Sequence, residues 1–171
     1  MNTAVSPNDI PTPASEQRDD RGRLVAVTWH SDGFTPEAER QRWLVAVDGS
    51  ACALRAVETV ARLAALEGDH VVAVLHVQPW LSKEAAEAEL ARRGWAASAA
   101  ARQLLDAAAL HWRLHVVMGE AAPEIAALSD TLHSRRIAIG SHGLTASESL
   151  LLGSVAYQVV HLAKRPVLIV R

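Results

Sequence analysis

The chain has 171 residues, half of them hydrophobic, with 17 Lys+Arg against 19 Asp+Glu and a formal net charge of −2. That length suits one domain with a real core, and a near-neutral balance with no basic block speaks against a nucleic-acid partner. No apolar run approaches the roughly 18 residues of a membrane helix, and the lone Cys52 rules out an internal disulfide or a cysteine-based zinc site.

Residues 1–41 read as an extension and residues 42–171 as the domain. Met1 to Arg23 is rich in Pro, Ser, Asn and Asp and is expected to be disordered. Leu24 to Trp29, LVAVTW, is apolar and β-branched; it suits an added edge strand or a strand lent to a partner chain. His30 to Gln41 is polar and turn-rich and reads as a linker. No basic start followed by an apolar core marks a leader, so the cytoplasm is the expected compartment.

The domain opens with the buried-strand run Trp43 to Val47, ended by Asp48-Gly49-Ser50. Ser50 suits the N-cap of a helix whose apolar residues Leu54, Val57, Val60, Ala61 and Ala64 keep a 3.6 period, and Gly68 suits its C′ stop. Cys52 lies in that helix and reads as a small buried hydrophobe. His70 to Val77 is a second strand, closed by Gln78-Pro79; Trp80 follows it and is expected on the ligand side of the sheet. Ser82 to Leu110 is alanine-rich and helical, with an interruption expected at Gly94. Arg113 to Met118 is a third strand, and Pro123 suits the first turn of a helix reaching about Leu132. Arg136 to Ile139 is a fourth strand. After a glycine loop and a last helix, Lys164-Arg165 lies where positive charge is favoured, and Pro166 starts a fifth strand, Val167 to Val170. His111 and His115 are placed across a helix-to-strand junction and are not expected to share a face, so no metal site is expected. Five alternations of strand and helix, each crossover long enough for a right-handed parallel unit, predict an α/β fold with a doubly wound parallel sheet and helices on both faces.

The chemistry concentrates in GSHGLTASESLLLGS, Gly140 to Ser154. A strand runs into Gly140 and Gly143, and nine residues later Gly153-Ser154 opens a helix. Backbone N–H groups of such a loop and helix start can converge on one anion, aided by about half a positive charge from the helix dipole. On this reading a side chain at Gly153 would project where a phosphate must sit. There is no Walker lysine, no HExxH and no Gly-x-Ser-x-Gly elbow.

Gly-x-x-Gly-(nine residues)-Gly-Ser, with the first strand Leu44–Ser50 and the tail LLLGSVAYQVVHLAKRPVLIVR, resembles the ATP-binding branch of the universal stress protein family. The resemblance runs from about Trp43 to Arg171. It implies the adenine nucleotide alpha hydrolase-like fold, a five-stranded order of 3-2-1-4-5, and a crevice where strands one and four diverge. It implies nucleotide contacts at Ala46, Val47, Asp48, Gly49 and Ser50, at Val77 (adenine edge), at Ile139 (base pocket), at Gly140, His142 and Gly143, and at Gly153, Ser154 and Val155. For Asp48 the competing reading is an Asx turn capping the helix; for His142, a solvated loop residue. The implied cofactor is ATP, with any Mg²⁺ held mainly by its phosphates. Two departures stand out. No Lys or Arg lies between Gly143 and Gly153, where Glu148 does, and Ser134-Arg135-Arg136 replaces an acidic residue before strand four. Those arginines read as surface residues, or as replacement charge near the crevice.

The resulting expectation is an ATP-binding regulatory protein of stress response, with at most slow hydrolysis and an unidentified protein partner. Alternatives are a slow nucleotidyl or phosphoryl transferase using His142, and a partner-binding protein with a vestigial site. The open apolar edge 167–170 suits an isologous homodimer, as in the family. The competing arrangement has Leu24–Trp29 folded over that edge.

Overall fold

The computed structural model describes residues 10–34, 43–144 and 152–171. Residues 1–9, most of the linker and the stretch 145–151 containing Glu148 lie outside the described residues. The chain order is β1 (Ser15–Arg18), β2 (Leu24–His30), β3 (Trp43–Ala46), α1 (Ala51–Glu67), β4 (Val71–Gln78), α2 (Lys83–Ala97), α3 (Ala99–Ala107), β5 (His111–Met118), α4 (Ala121–Thr131), β6 (Arg136–Gly140), α5 (Ser154–Leu162) and β7 (Val167–Val170).

One seven-stranded sheet has the order β1-β2-β5-β4-β3-β6-β7. Its last five strands are parallel and are the expected 3-2-1-4-5 arrangement. The count of five is corrected by the antiparallel hairpin β1–β2, whose second strand pairs with β5, Val27 opposite Val116. The expected edge strand at 24–29 is therefore present, at the edge opposite β7. The alternative that it covers 167–170 is wrong. The expectation of disorder up to Arg23 also fails over 15–18. All four side chains of β1 are exposed, so the strand buries no apolar face and composition carries no signal of it; Arg18 adds side-chain bonds to the Gly22 carbonyl and to Glu87.

The inner parallel strands are mostly apolar because both faces are covered, with polar residues confined to a few positions such as His76 and Gln78 of β4, His111, Arg113 and His115 of β5 and Arg136 of β6. Val45, Val72, Val74, Leu114 and Val116 pack under α1, α2 and α3; Leu44, Ala73, Leu75 and Ile137 pack under α4 and α5. Ser50 caps α1, its Oγ accepting the Ala53 N–H at 3.1 Å, and Gly68 ends it at φ +70°. The alanine-rich region breaks at Ser98, between α2 and α3, and runs straight through Gly94. A Cβ at Gly94 would collide with both Val116 methyls, so this glycine lets the helix lie close on β5. His111 and His115 both belong to β5, and positions four apart on a strand share a face, contrary to the expectation. No metal-binding cluster occurs among the described residues.

The hairpin is fastened by an aromatic cluster. The Trp29 and Trp95 ring centroids are 5.2 Å apart, those of Trp95 and Trp112 6.2 Å, and Arg102 lies 3.4 Å above Trp95. Burial lowers the Arg102 pKa to about 10. Each such ring pair contributes about 0.5–1.5 kcal/mol beyond its buried area. Lys164 and Arg165 reach Asp130 of α4, at 3.1 and 3.7 Å.

Candidate functional site

The sheet's order reverses direction at β3 and β6, and the chain leaves both strands at the same end. After β3, Val47 N–H still bonds the Leu75 carbonyl at 2.8 Å before the chain turns through Asp48 into α1. Asp48 uses both carboxylate oxygens: Oδ1 accepts the Ser50 N–H at 2.9 Å and Oδ2 accepts the Leu144 N–H at 3.0 Å. The Asx turn is thus real, and a second bond ties the turn after β6 to the end of β3. A carboxylate oxygen has lone pairs for more than one donor, so these bonds do not exhaust the Asp48 accepting capacity.

The motif glycines allow close approach. A Cβ at Gly140 would lie 2.7 Å from the Cys52 carbonyl carbon and 2.9 Å from Ala53 N, so this glycine seats the start of α1 on β6; one at Gly143 would lie 2.7 Å from Asp48 Oδ2. At Gly153 a Cβ would meet the Ser141 carbonyl oxygen at 3.0 Å and His142 Cα at 3.3 Å. The expectation that it would project toward a phosphate is corrected. Gly153 closes the start of α5 onto the Ser141–His142 turn, and its N–H bonds Ser141 O at 2.8 Å. Being glycine, the N-cap Gly153 also offers no side chain to the first amides of α5, whereas α1 is capped by Ser50. The first N–H groups of a helix have no intrahelical acceptor, and Ser154, Val155 and Ala156 line the space in front of them.

That space is a cavity of about 340 Å³. Of the expected residues, Ala46, Val47, Asp48, Val77, Ile139, Gly140, His142, Gly143, Gly153, Ser154 and Val155 all line it. Gly49 and Ser50 do not; Gly49 shapes the turn at φ +86° and Ser50 is committed to its cap. His142 lies beside Ser141, Nδ1 2.9 Å from its Oγ. Leu75, His76, Gln78, Pro79, Ala121, Ile125 and Ser141 are additional lining residues. His76 and Gln78 were readable as polar residues at alternate positions of an otherwise apolar strand; Ala121 and Ile125 come from α4 and carry no local signal. His76 Nδ1 is 3.0 Å from the Val47 carbonyl, so this nitrogen carries the proton and donates. Burial outweighs that bond and the Asp48 charge and holds the ring below the ordinary histidine range.

Asp48 is the one carboxylate among the described lining residues, and no Lys or Arg is among them. Arg136 sits at the start of β6, away from the crevice, paired with Glu67 and stacked 5.0 Å above Trp43. It supplies no replacement charge there. Trp80 follows the lining residues Gln78 and Pro79 at the cavity end of β4, but it is 56% exposed, lies under the Arg23 guanidinium at 4.8 Å and does not itself line the cavity. Cys52 is half-buried, its sulfur accepting from Arg55 Nη2 at 2.8 Å.

Sheet order, crossovers and crevice together define a doubly wound α/β protein with its cavity at the topological switch point. The chain belongs to the universal stress protein family, whose model matches residues 39–171. A universal stress protein from Archaeoglobus fulgidus is 25% identical with a TM-score of 0.62, over 75% of this chain and 92% of that one. A universal stress protein solved in complex with cAMP is 25% identical, TM-score 0.60, over 77% and 97%. The Archaeoglobus fulgidus protein in complex with dAMP, at 22% identity, TM-score 0.59 and coverage of 78% and 99%, shares the fold. No curated protein matches the chain. No helix of the described residues is long and apolar enough to cross a membrane.

Proposed function

We propose that the cavity binds an adenine nucleotide, with ATP the expected ligand, and that the protein is a nucleotide-dependent regulator of stress response in the cytoplasm. The observation that carries this reading is the convergence of two features on one cavity. The start of α5, without a side-chain cap from Gly153, faces it, and apolar walls from Leu75, Val77, Ile125 and Ile139 surround the rest. The first suits phosphate; the second suits a base, in a volume typical of small-molecule sites. The similar universal stress protein in complex with cAMP supports the choice of adenine. Ala46 and Val47 at the end of β3, the Val77 backbone and Ile139 border the base; Asp48 receives a ribose hydroxyl; Gly140, His142, Gly143, Gly153, Ser154 and Val155 surround the phosphates, which themselves hold any Mg²⁺. Gly49 and Ser50 act through the turn they shape.

Backbone amides bind a phosphate about equally well before and during its transfer, and uniform binding does not speed chemistry. Hydrolysis is therefore slow at most, and regulation runs through occupancy and a homodimer joined along β7. The test is acid extraction of freshly purified protein followed by chromatography, with calorimetry of ATP, AMP and GTP on the stripped protein. Retained adenine nucleotide, or adenine binding well above guanine, is expected. Absence of both, with the protein folded, refutes the reading.

A further inference from the structure

The family match begins at residue 39, so the β1–β2 hairpin lies outside it. Its turn is built around one side chain. Asp19 Oδ1 accepts the backbone N–H groups of Arg21 and Arg23 at 3.0 and 2.9 Å, and Oδ2 takes the Arg23 guanidinium at 3.0 Å. The Arg23 backbone bond foremost, these contacts hold the Asp19 carboxyl below its ordinary range.

Arg23, fixed in this way, reaches the loop between β4 and α2. Its Nη1 donates to the Leu81 carbonyl at 3.3 Å while its guanidinium covers the Trp80 ring. From the far end of the loop, Lys83 Nζ donates back to the Arg21 carbonyl at 3.0 Å. Residues 79–82 are thus tied to the hairpin turn at both ends. The loop opens with Pro79, and Pro79 and the preceding Gln78 line the cavity. A planar guanidinium can bond a carbonyl and stack on an indole at once, which an ammonium cannot.

We propose that the N-terminal hairpin positions the ligand pocket, with Arg23 clamping the 79–82 loop so that Gln78 and Pro79 hold the cavity wall in its binding geometry. The effect on ligand rests on the nucleotide reading; the clamp itself does not. Without the clamp the loop populates other conformations, and apparent affinity falls with the fraction that stays competent.

The experiment compares full-length wild type with Arg23→Ala, Arg23→Lys and Glu87→Ala. Glu87 anchors the hairpin to α2 through Arg18 and does not hold the loop. Two quantities are read: backbone NMR order parameters of residues 80–82 without ligand, and AMP affinity by calorimetry. Both Arg23 variants are expected to lower the order parameters from about 0.85 toward 0.6 and to weaken AMP roughly three- to tenfold, with Glu87→Ala unchanged. Unchanged order parameters in Arg23→Ala overturn the clamp, and a loosened loop with unchanged AMP affinity overturns its role in the pocket. Equal effects from Glu87→Ala show general loss of hairpin docking and also overturn it. If wild type retains no adenine nucleotide and binds neither ATP nor AMP, the nucleotide reading fails and the order parameters alone decide the clamp; if it binds ATP but not AMP, ATP is the probe used for every variant. If Arg23→Ala does not fold, Trp80→Leu removes the stack from the loop side and is read identically.

Discussion

Asp48→Ala removes two charge-assisted hydrogen bonds at once, to the N–H groups of Ser50 and Leu144. Hydrogen bonds donated to a charged group contribute about 1.5–3 kcal/mol each. This carboxylate is only partly buried, so we expect a joint loss of about 2–4 kcal/mol. At about 2–4 °C per kcal/mol for a chain of this size, the melting temperature should fall by roughly 4–16 °C. Asp48→Asn discriminates between the two bonds. It retains one acceptor, while its NH₂ must face a second N–H donor, so it should lose about half as much stability or slightly more. Loss of the Leu144 tie also frees the turn after β6, and AMP affinity should fall on the order of tenfold in Ala and less in Asn. Thermal melts and calorimetry on both variants check this ordering. If both variants melt within about 1 °C of wild type, the pinning argument is wrong. If Asn melts like wild type yet binds as poorly as Ala, Asp48 acts by touching the ligand and not by holding the turn.

Three further expectations follow from contacts elsewhere. Gly94→Ala improves helix propensity by about 1 kcal/mol but forces a methyl into Val116, so urea titration should show net destabilisation of about 1–2 kcal/mol, relieved by adding Val116→Ala; a stabilised single variant contradicts the close packing. Burial foremost, with the Arg113 charge second, lowers the His115 pKa to about 4, and its buried Nε2 has no hydrogen-bond partner among the described residues. Above pH 6.5 the ring is neutral folded and unfolded; between 6.5 and 4 the unfolded chain takes up the proton first, so stability falls with pH by up to about 3 kcal/mol, and His115→Leu should flatten the profile between pH 7 and 4.5. In β7 the carbonyls of Pro166 and Val170 accept from Ile137 and Ser141, so residues 166, 168 and 170 turn their bonds toward β6, while Val167 and Ile169 turn theirs outward. Ile169→Pro should therefore give a folded monomer by light scattering in place of about twice 18.4 kDa, whereas Leu168→Pro should damage the fold; a dimeric Ile169→Pro refutes pairing through this edge.

The parallel half of the sheet was legible because strands covered on both faces must be continuously apolar, and Trp43–Ala46, Val71–Gln78 and Val167–Val170 are nearly so. The cavity was legible where motif residues border it, from Asp48 to Val155, because spacing alone brings a strand end and a helix start together. Its remaining walls come from α4 and from the loop after β4, elements whose approach depends on packing that no local pattern encodes. The role of Gly153 was misread for a related reason. A sequence shows that a position must be glycine but not which neighbour demands it, and here the neighbour is the Ser141 carbonyl. The break at Ser98 in place of Gly94 follows the same logic, since Gly94 is kept for Val116 rather than for flexibility. β1 was invisible because SEQR buries no side chain.

The two edges of the sheet are built for opposite purposes. The β1 edge is short, fully exposed and polar, its register shifts between Gln17 and Arg18, and Pro11 and Pro13 precede it. These are the devices that discourage strand addition. By pairing with β5, the hairpin removes a longer and more apolar edge from reach. β7 has no such protection; its four apolar residues are half-buried, and Val155, Tyr157 and Val160 of α5 are exposed. A sheet that is adhesive at both edges can stack head to tail without limit, whereas one adhesive at a single edge can satisfy itself only across a two-fold axis. Residues 10–34 therefore bear on assembly as well as on the pocket. They leave β7 open and close the other route, so the proposed association through β7 would end at two chains. Removing the hairpin would not uncover β7, which lies at the opposite edge; it would expose β5 and leave the sheet with two unprotected edges, so light scattering of the shortened chain should show masses beyond those of the full chain.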